Sequence, residues 1–288
     1  MANSKKPAPS DLPQYLRQRL VALSAPGRRV TLALSGGVDS VVLLHLLPPL
    51  RAKLGFSLSA IHVNHQISPH AAQWADFCAD LCAQQDIPLQ VKKVHVARRS
   101  KSGLEAAARA ARYQAFAELD SDVLLLAHHL DDQVETLLQN LLRGTGLAGA
   151  AAMPESRRQG GTSPVLARPL IAVPRATLLA YAEQHGLRWV EDESNTDNAF
   201  TRNYLRHAVL PLVESRFPAY RETLARAAQH FAEAERLLLE LAALDLHQVM
   251  RAEKLHLAAL AQLSPARAMN ALRAYLEQQG VPALDSVR

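Results

Sequence analysis

Short, strongly apolar runs alternate with amphipathic segments through the first half of the chain. Residues 30–34, 58–63, 89–96 and 122–127 read as strands. The segments that follow space their apolar positions three and four apart and read as helices, from residue 39 to about 47 and over 71–85, 104–119 and 131–143. Pro48-Pro49 is expected to stop or bend the first of them. A further helix, over 11–25, lines up Leu12, Tyr15, Leu16, Leu20 and Leu23. Strands and helices alternating at this spacing predict an α/β fold built on a doubly wound, mostly parallel sheet. Residues 122–127 are apolar almost throughout, as suits a central strand covered on both faces.

Beyond residue 143 the pattern changes. Residues 144–161 are rich in Gly and Ala and read as a mobile loop, and 174–185 reads as a helix. Residues 189–200 are acidic and polar, with a helix expected near 202–214. Residues 218–250 are Ala- and Leu-rich and almost free of breakers, which predicts one long helix or two joined. Residues 255–288 read as helical with a break at Gly280-Val281-Pro282. The expected division is a catalytic domain over 1–216, a long linker helix over 217–250 and a smaller all-helical C-terminal subdomain over 251–288.

The first strand runs into Ser35-Gly36-Gly37-Val38-Asp39-Ser40 and then into an apolar helix. Bare amides and hydroxyls at a helix N-terminus bind phosphate, because those donors lack intrahelical partners and the dipole is positive there. Asp39 would repel a phosphate unless a divalent cation lies between them, so the loop suggests a nucleotide with Mg²⁺. The bland alternative is an ordinary capped strand-to-helix turn. Neither the G-x-x-x-x-G-K-[ST] loop nor the G-x-G-x-x-G fingerprint is present here.

A second constellation, His128-His129-Leu130-Asp131-Asp132-Gln133-Val134-Glu135, follows the fourth strand. In a doubly wound sheet it faces the first loop across the carboxyl ends of the strands. Asp132, Glu135 and a histidine could coordinate Mg²⁺, orient an amine or move a proton, although Asp131 and Asp132 could also be plain N-terminal caps. His62 and Asn64 end the second strand, where a base or ribose would be edged. Glu105, Arg109 and Arg112 share one helix face, fit either for surface ion pairing or for phosphate.

Composition narrows the class. The chain has 288 residues, 49% hydrophobic, enough for about two domains. No apolar run reaches membrane-spanning length and the N-terminus has no signal-peptide core, so a cytoplasmic protein is expected. Cys78 and Cys82, four apart on a helix, read as a buried reduced pair. Between residues 92 and 112 seven cations face Glu105 alone, and Arg143, Arg157, Arg158, Arg168 and Arg175 form a second basic stretch. Either stretch is a solvated surface or a binding face for a polyanion, and nucleic acid is the simplest such partner.

The loop at residues 35–40 resembles the pyrophosphate loop of the N-type ATP pyrophosphatases. With residues 62–65, Glu105…Arg109…Arg112-Tyr113, the cluster at 128–136, Asn140-Leu141-Leu142-Arg143-Gly144-Thr145-Gly146, Arg168-Pro169-Leu170, the run 189–197 and Arg202-Asn203, the chain resembles the bacterial tRNA(Ile)-lysidine synthetases. The resemblance is dense over residues 28–215 and looser beyond. It implies that ATP adenylates the C2 oxygen of the wobble cytidine of tRNA(Ile) with a CAU anticodon. The ε-amine of free lysine then displaces AMP. It further implies that Ser35, Gly36, Gly37, Val38, Asp39, Ser40, His62, Asn64 and Arg109 bind ATP, that Asp39 and Asp132 bind Mg²⁺, and that Asp39, His129, Asp132 and Glu135 are catalytic. Arg112, Arg143, Arg202 and Asn203 fall to tRNA or phosphate. A homodimer is one assembly open to such a protein, and no membrane partner is expected. Larger family members carry a further C-terminal domain, so the C-terminal subdomain here is expected to be incomplete. The alternatives are a tRNA 2-thiolation relative, which would need cysteine ligands at other spacings, an amidotransferase-type synthetase, and a non-catalytic ATP- or RNA-binding module.

Overall fold

The computed structural model of the chain describes residues 11–23, 25–96, 103–158, 163–252 and 254–281. They divide into two compact units. The first holds the described residues up to 136 and those from 153 to 225, and the second holds 137–152 and those from 226 onward.

In chain order the first half runs α1 (Leu12–Val21), β1 (Arg29–Ala33), α2 (Val38–Leu54), β2 (Ser57–Asn64), α3 (Ala71–Ala83), β3 (Leu89–Lys93), α4 (Leu104–Ala117), β4 (Val123–Leu125) and α5 (Leu130–Leu142). Then come α6 (Leu147–Ala150), β5 (Ser156–Arg158), β6 (Val165–Ala167), α7 (Arg175–Gln184), α8 (Thr201–Tyr204), α9 (Leu210–Arg216) and α10 (Tyr220–Val249). The sheet order is β3-β2-β1-β4-β6-β5. Every pairing in it is parallel except that of β5, an antiparallel edge on β6. The chain moves outward from β1 in both directions, so the crevice where ligands bind such sheets opens at the carboxyl ends of β1 and β4.

Alternation of side chains along β1 and β4 splits the core. Val30, Leu32, Val123 and Leu125 face one way and join α1, α2 and α7 through Leu16, Leu20, Leu43, Leu47 and Leu178. Leu124 and Leu126 face the other way, with Ile61 and Leu166, and meet Phe116 and Tyr113 of α4.

The prolines do not end α2, which continues through Pro48 and Pro49 to Leu54. Two amide hydrogen-bond donors are lost, but Leu46, Leu47 and Leu50 are buried on either side and the core holds both halves in line. Gly55 closes the helix at φ +75°, where a Cβ would meet Pro26 at 3.4 Å. The loop expected over 144–161 is largely structured. It contains α6 and β5, and Asn140 Nδ2 donates to the Gly149 carbonyl at 2.8 Å. Its glycines serve turns between short elements; residues 159–161 lie outside the described part. The helix expected near 202–214 is interrupted by a π-helical turn over Leu205–Val209, before Pro211.

The second unit contains most of α10, the hairpin β7 (Met250–Arg251) and β8 (Lys254–Leu255), α11 (Leu257–Leu260) and α12 (Pro265–Gln278). The hairpin was not expected, since its strands are only two residues long. Leu246, Val249 and Ala271 form the centre, with Leu255 and Tyr275 packed on them. Asp245 is fully buried there and takes both a 3.2 Å bond from Arg267 Nε and a second bond from Arg267 Nη2.

Candidate active site

The Ser35–Ser40 loop leaves β1 at the crevice. Ser40 is the pivot of its internal bonding: its hydroxyl donates to the Gly37 carbonyl at 2.9 Å and lies 3.1 Å from Ser35 Oγ. The Gly36 amide donates to Ser40 Oγ at 3.2 Å and the Gly37 amide to Ser35 Oγ at 3.3 Å. Gly36 sits at φ +90°, and a Cβ there would lie 2.8 Å from Val190 Cγ2 and 3.3 Å from Cys78 Sγ. Only glycine fits this position. The Val190 amide donates to the Gly36 carbonyl at 3.0 Å, so the acidic run that begins there is tied to the loop. Val38 starts α2, and Asp39 stands in its first turn.

Opposite the loop, His129 immediately precedes α5. Its amide donates to Asp132 Oδ2 at 2.9 Å, and the Asp132 amide donates back to His129 Nδ1 at 3.3 Å. This is the reciprocity of a capping box, made with His and Asp in place of Ser and Glu. It points His129 Nε2 at Asp39 Oδ2 and at Asp132 Oδ2, each 3.5 Å away. Burial works against charging this imidazole, but Asp132 and Asp39 outweigh it and its pKa is raised. Asp39 Oδ1 is buried with no hydrogen-bond partner among the described residues. A lone buried carboxylate oxygen at the N-terminus of α2 fits a divalent cation, which would need further oxygen ligands from outside the protein.

Asp132 and Glu135 form a compact quartet with two arginines. Arg202 Nη2 donates to Asp132 Oδ1 at 2.5 Å and Arg202 Nε to Glu135 Oε2 at 2.6 Å. Arg206 Nε donates to Glu135 Oε1 at 2.6 Å and Arg206 Nη2 to Glu135 Oε2 at 3.0 Å. Glu135 is 1% exposed. Both Asp132 oxygens are therefore engaged, unlike those of Asp39. Asp131 lies 3.8 Å from His129 Nδ1 but makes its hydrogen bonds to other elements. Its Oδ2 accepts from the Arg175 amide at 2.9 Å and caps α7, and its Oδ1 takes Arg221 Nε at 2.6 Å.

A group of cationic and neutral donors lies across the same crevice. Arg112 is largely enclosed and has no hydrogen bond or ion pair to any described residue. Burial lowers its pKa, with Arg109 and Arg202 adding to the effect. His65 Nδ1, His128 Nδ1 and Arg168 Nε are buried without partners among the described residues. Burial first, then Arg112, pushes His65 down to about 4, and burial holds His128 down to about 3, so both are neutral. Arg109 Nη2 donates to Tyr113 Oη at 3.2 Å. Enclosed guanidiniums without anions suit a phosphate or carboxylate guest.

Other expected residues are placed differently. His62 turns inward, with Nδ1 2.9 Å from the Leu34 carbonyl. Asn64 Nδ2 donates to the Ala71 carbonyl at 3.0 Å and its Oδ1 accepts from the Gln66 amide at 2.9 Å, holding the turn into α3. Asn203 Nδ2 clamps the acidic run by donating to the carbonyls of Ser194 and Asp197 at 2.7 and 2.8 Å. Arg143 is exposed and belongs to the second unit. Of the basic stretch, Arg98, Arg99 and Lys101 lie outside the described residues. Cys78 and Cys82 are buried free thiols, pushed up by burial to about 12 and about 11. Sequence reasoning missed Arg206, whose signal was its one-turn spacing from Arg202. It also missed Val190, which carried no signal. Among the described residues no three His, Cys, Asp or Glu side chains gather to hold a metal unaided, and no helix is long and apolar enough to cross a membrane.

Two protein families match the chain, a PP-loop domain over residues 11–213 and a TilS substrate binding domain over residues 255–288. A tRNA(Ile)-lysidine synthase of Nitrosomonas europaea is 48% identical over 97% of this chain and 61% of its own. One of Pseudomonas aeruginosa is 48% identical over 91% of this chain and 62% of its own. The chain thus spans about three fifths of the length of these curated relatives. Among solved structures, the U34-tRNA thiolase NcsA of Methanococcus maripaludis, with its [4Fe-4S] cluster, has a TM-score of 0.66 at 19% identity. That match covers 77% of this chain and 78% of the other. The likeness is one of fold.

Proposed function

The chain belongs to the PP-loop domain family, and on that premise we propose that it is the catalytic part of a tRNA(Ile)-lysidine synthase. The observation that carries the proposal is the approach of Asp39 in the phosphate loop to the His129, Asp132 and Glu135 group within one crevice. The loop takes the phosphates of ATP through the Val38 amide and the Ser35 hydroxyl, with the Gly36 and Gly37 amides and the Ser40 hydroxyl joining once they exchange their bonds inside the loop for phosphate oxygens. Asp39 would hold Mg²⁺, which when bound would supply charge neutralisation at the departing pyrophosphate. Arg109, Arg112 and Arg168, with the neutral donors His65 and His128, receive the anionic part of the nucleotide or the RNA backbone.

The wobble cytidine C2 oxygen attacks the α-phosphorus and pyrophosphate leaves. The lysine ε-amine then attacks C2, and AMP leaves with the bonding electrons. Lysine must lose a proton first, and Asp132 and Glu135 are the carboxylates that bind its ammonium and can take that proton, with His129 nearby. In the structure those carboxylates hold the guanidiniums of Arg202 and Arg206. When Arg202 turns to a phosphate, it frees Asp132 Oδ1 for the amine, while Arg206 stays on Glu135. Only in that arrangement would Asp132 be free to help Asp39 hold Mg²⁺. Asn203 keeps the acidic run in place beneath it.

The test is mass spectrometry of a tRNA(Ile) transcript with a CAU anticodon after incubation with ATP, Mg²⁺ and L-lysine. The expected product is heavier by one lysine less one water. Pyrophosphate release that needs neither lysine nor tRNA, with unaltered RNA, would overturn the proposal.

A further inference from the structure

We infer that His62 is a positioning residue for the phosphate loop, acting through the Leu34 carbonyl and without touching the nucleotide. The inference rests on the proposal that the Ser35–Ser40 loop takes the phosphates of ATP.

Leu34 is the last residue before the loop. Its amide continues the β1–β2 ladder by donating to the Ile61 carbonyl at 2.8 Å. Its carbonyl is met by a side chain, His62 Nδ1 at 2.9 Å. A carbonyl only accepts, so Nδ1 carries the proton and the neutral imidazole donates. Burial lowers the pKa of His62, in keeping with that neutral form. The residue is 5% exposed, and Cys78 Sγ of α3 backs the ring at 3.4 Å from Nδ1.

The same Cys78 sulfur would lie 3.3 Å from a Cβ on Gly36. One buried contact set therefore holds the ring, the root of the loop and its second residue. The far side of Gly36 is held by the Val190 amide on its carbonyl. The loop can present its amides in one geometry only if the peptide leaving Leu34 is fixed. A buried neutral donor does this where the strand pairing has run out, and without it the Leu34 carbonyl keeps only the weak Cys78 thiol contact at 4.0 Å.

The geometry separates two roles by which ring nitrogen matters. An asparagine at 62 places its amide nitrogen near the position of Nδ1, whereas a glutamine places it near Nε2. Isothermal titration of the whole chain with MgATP and, separately, with magnesium pyrophosphate reads the difference. Pyrophosphate has neither base nor ribose and reports on the loop alone. We expect H62N to bind both within about threefold of the parent. H62Q and H62L should lose at least about tenfold for both ligands by the same factor. If H62Q binds better than H62N, or if pyrophosphate affinity is unchanged in H62L while MgATP affinity falls, His62 contacts the nucleotide and the inference is overturned. A drop in melting temperature with unchanged pyrophosphate affinity marks a merely structural residue and also overturns it. A parent chain that binds neither ligand refutes the reading of the loop itself, and that failure is visible before any variant is made.

Discussion

Replacing Glu135 by Gln tests the charge quartet at the heart of the site. Glu135 is 1% exposed and accepts three hydrogen bonds, two at 2.6 Å and one at 3.0 Å, from Arg202 and Arg206. Asp132 takes a fourth, at 2.5 Å. Two guanidiniums thus face two carboxylates, and the arginine side chains are only 28% exposed. Gln keeps the shape but removes one negative charge, and its amide hydrogens must point at a donor. Breaking a buried ion pair on one side costs about 3–5 kcal/mol, because the uncompensated charge stays buried. For a unit of this size about 2–4 °C of melting temperature accompanies each kcal/mol, so E135Q should melt about 6–20 °C lower. Urea unfolding followed by circular dichroism measures the loss directly. R206M alone should also destabilise, and the E135Q/R206M double variant should be less destabilised than the sum by about 0.5–3 kcal/mol. A loss under about 1 kcal/mol for E135Q, or strict additivity, would refute the argument that this quartet is a buried, mutually compensating unit.

Three further outcomes are expected. G36A combines a left-handed backbone, at about 1–2 kcal/mol, with an overpacked contact on Val190 at about 1–3 kcal/mol, so its urea midpoint should fall accordingly and MgATP binding should weaken; an unchanged midpoint contradicts the 2.8 Å contact. D39N keeps the shape of the turn but removes the charge at the unpartnered Oδ1, so the Mg²⁺ dependence of ATP affinity should disappear while the fold survives; a retained Mg²⁺ response places the metal elsewhere. His65 and His128 are neutral when folded, with pKa values of about 4 and about 3 against about 6.5 in an unfolded chain. The unfolded state binds the extra protons, so stability is intact above pH 6.5 and falls as pH drops toward 4. H128N should make the urea midpoint less sensitive to pH over that interval, and an unchanged slope would show that His128 is not the group responsible.

Much of the architecture is present in the order of apolar and polar residues. The nearly continuous apolar runs in Val30–Leu34 and in residues 122–127 need two covered faces, and the structure supplies α2 on one and α4 on the other. The phosphate loop is equally local, since its amides, hydroxyls and glycine turn follow one another in the chain. The His129–Asp132 cap is local too, being a matter of one helical turn. Partners separated in sequence are another matter. Periodicity marks the face a side chain occupies, and says nothing about which distant element will meet it. Glu135 reads as an amine ligand from its own segment, yet Arg206 arrives from 71 residues away. His62 and Asn64 end a strand at the crevice, which suggests contact with a nucleotide, but the register of β1 on β2 turns their polar atoms to backbone carbonyls and amides. Pro48 and Pro49 should end a helix on local grounds, and burial of their neighbours overrides them. The chain alone determined the alternation of strands and helices, the Ser35–Ser40 turn and the acidic cluster after the fourth strand, because each depends on residues within a few positions of one another. Tertiary structure alone decided which of those carboxylates keeps an unpartnered oxygen and which are already neutralised, because burial and charge compensation are set by the whole surrounding shell.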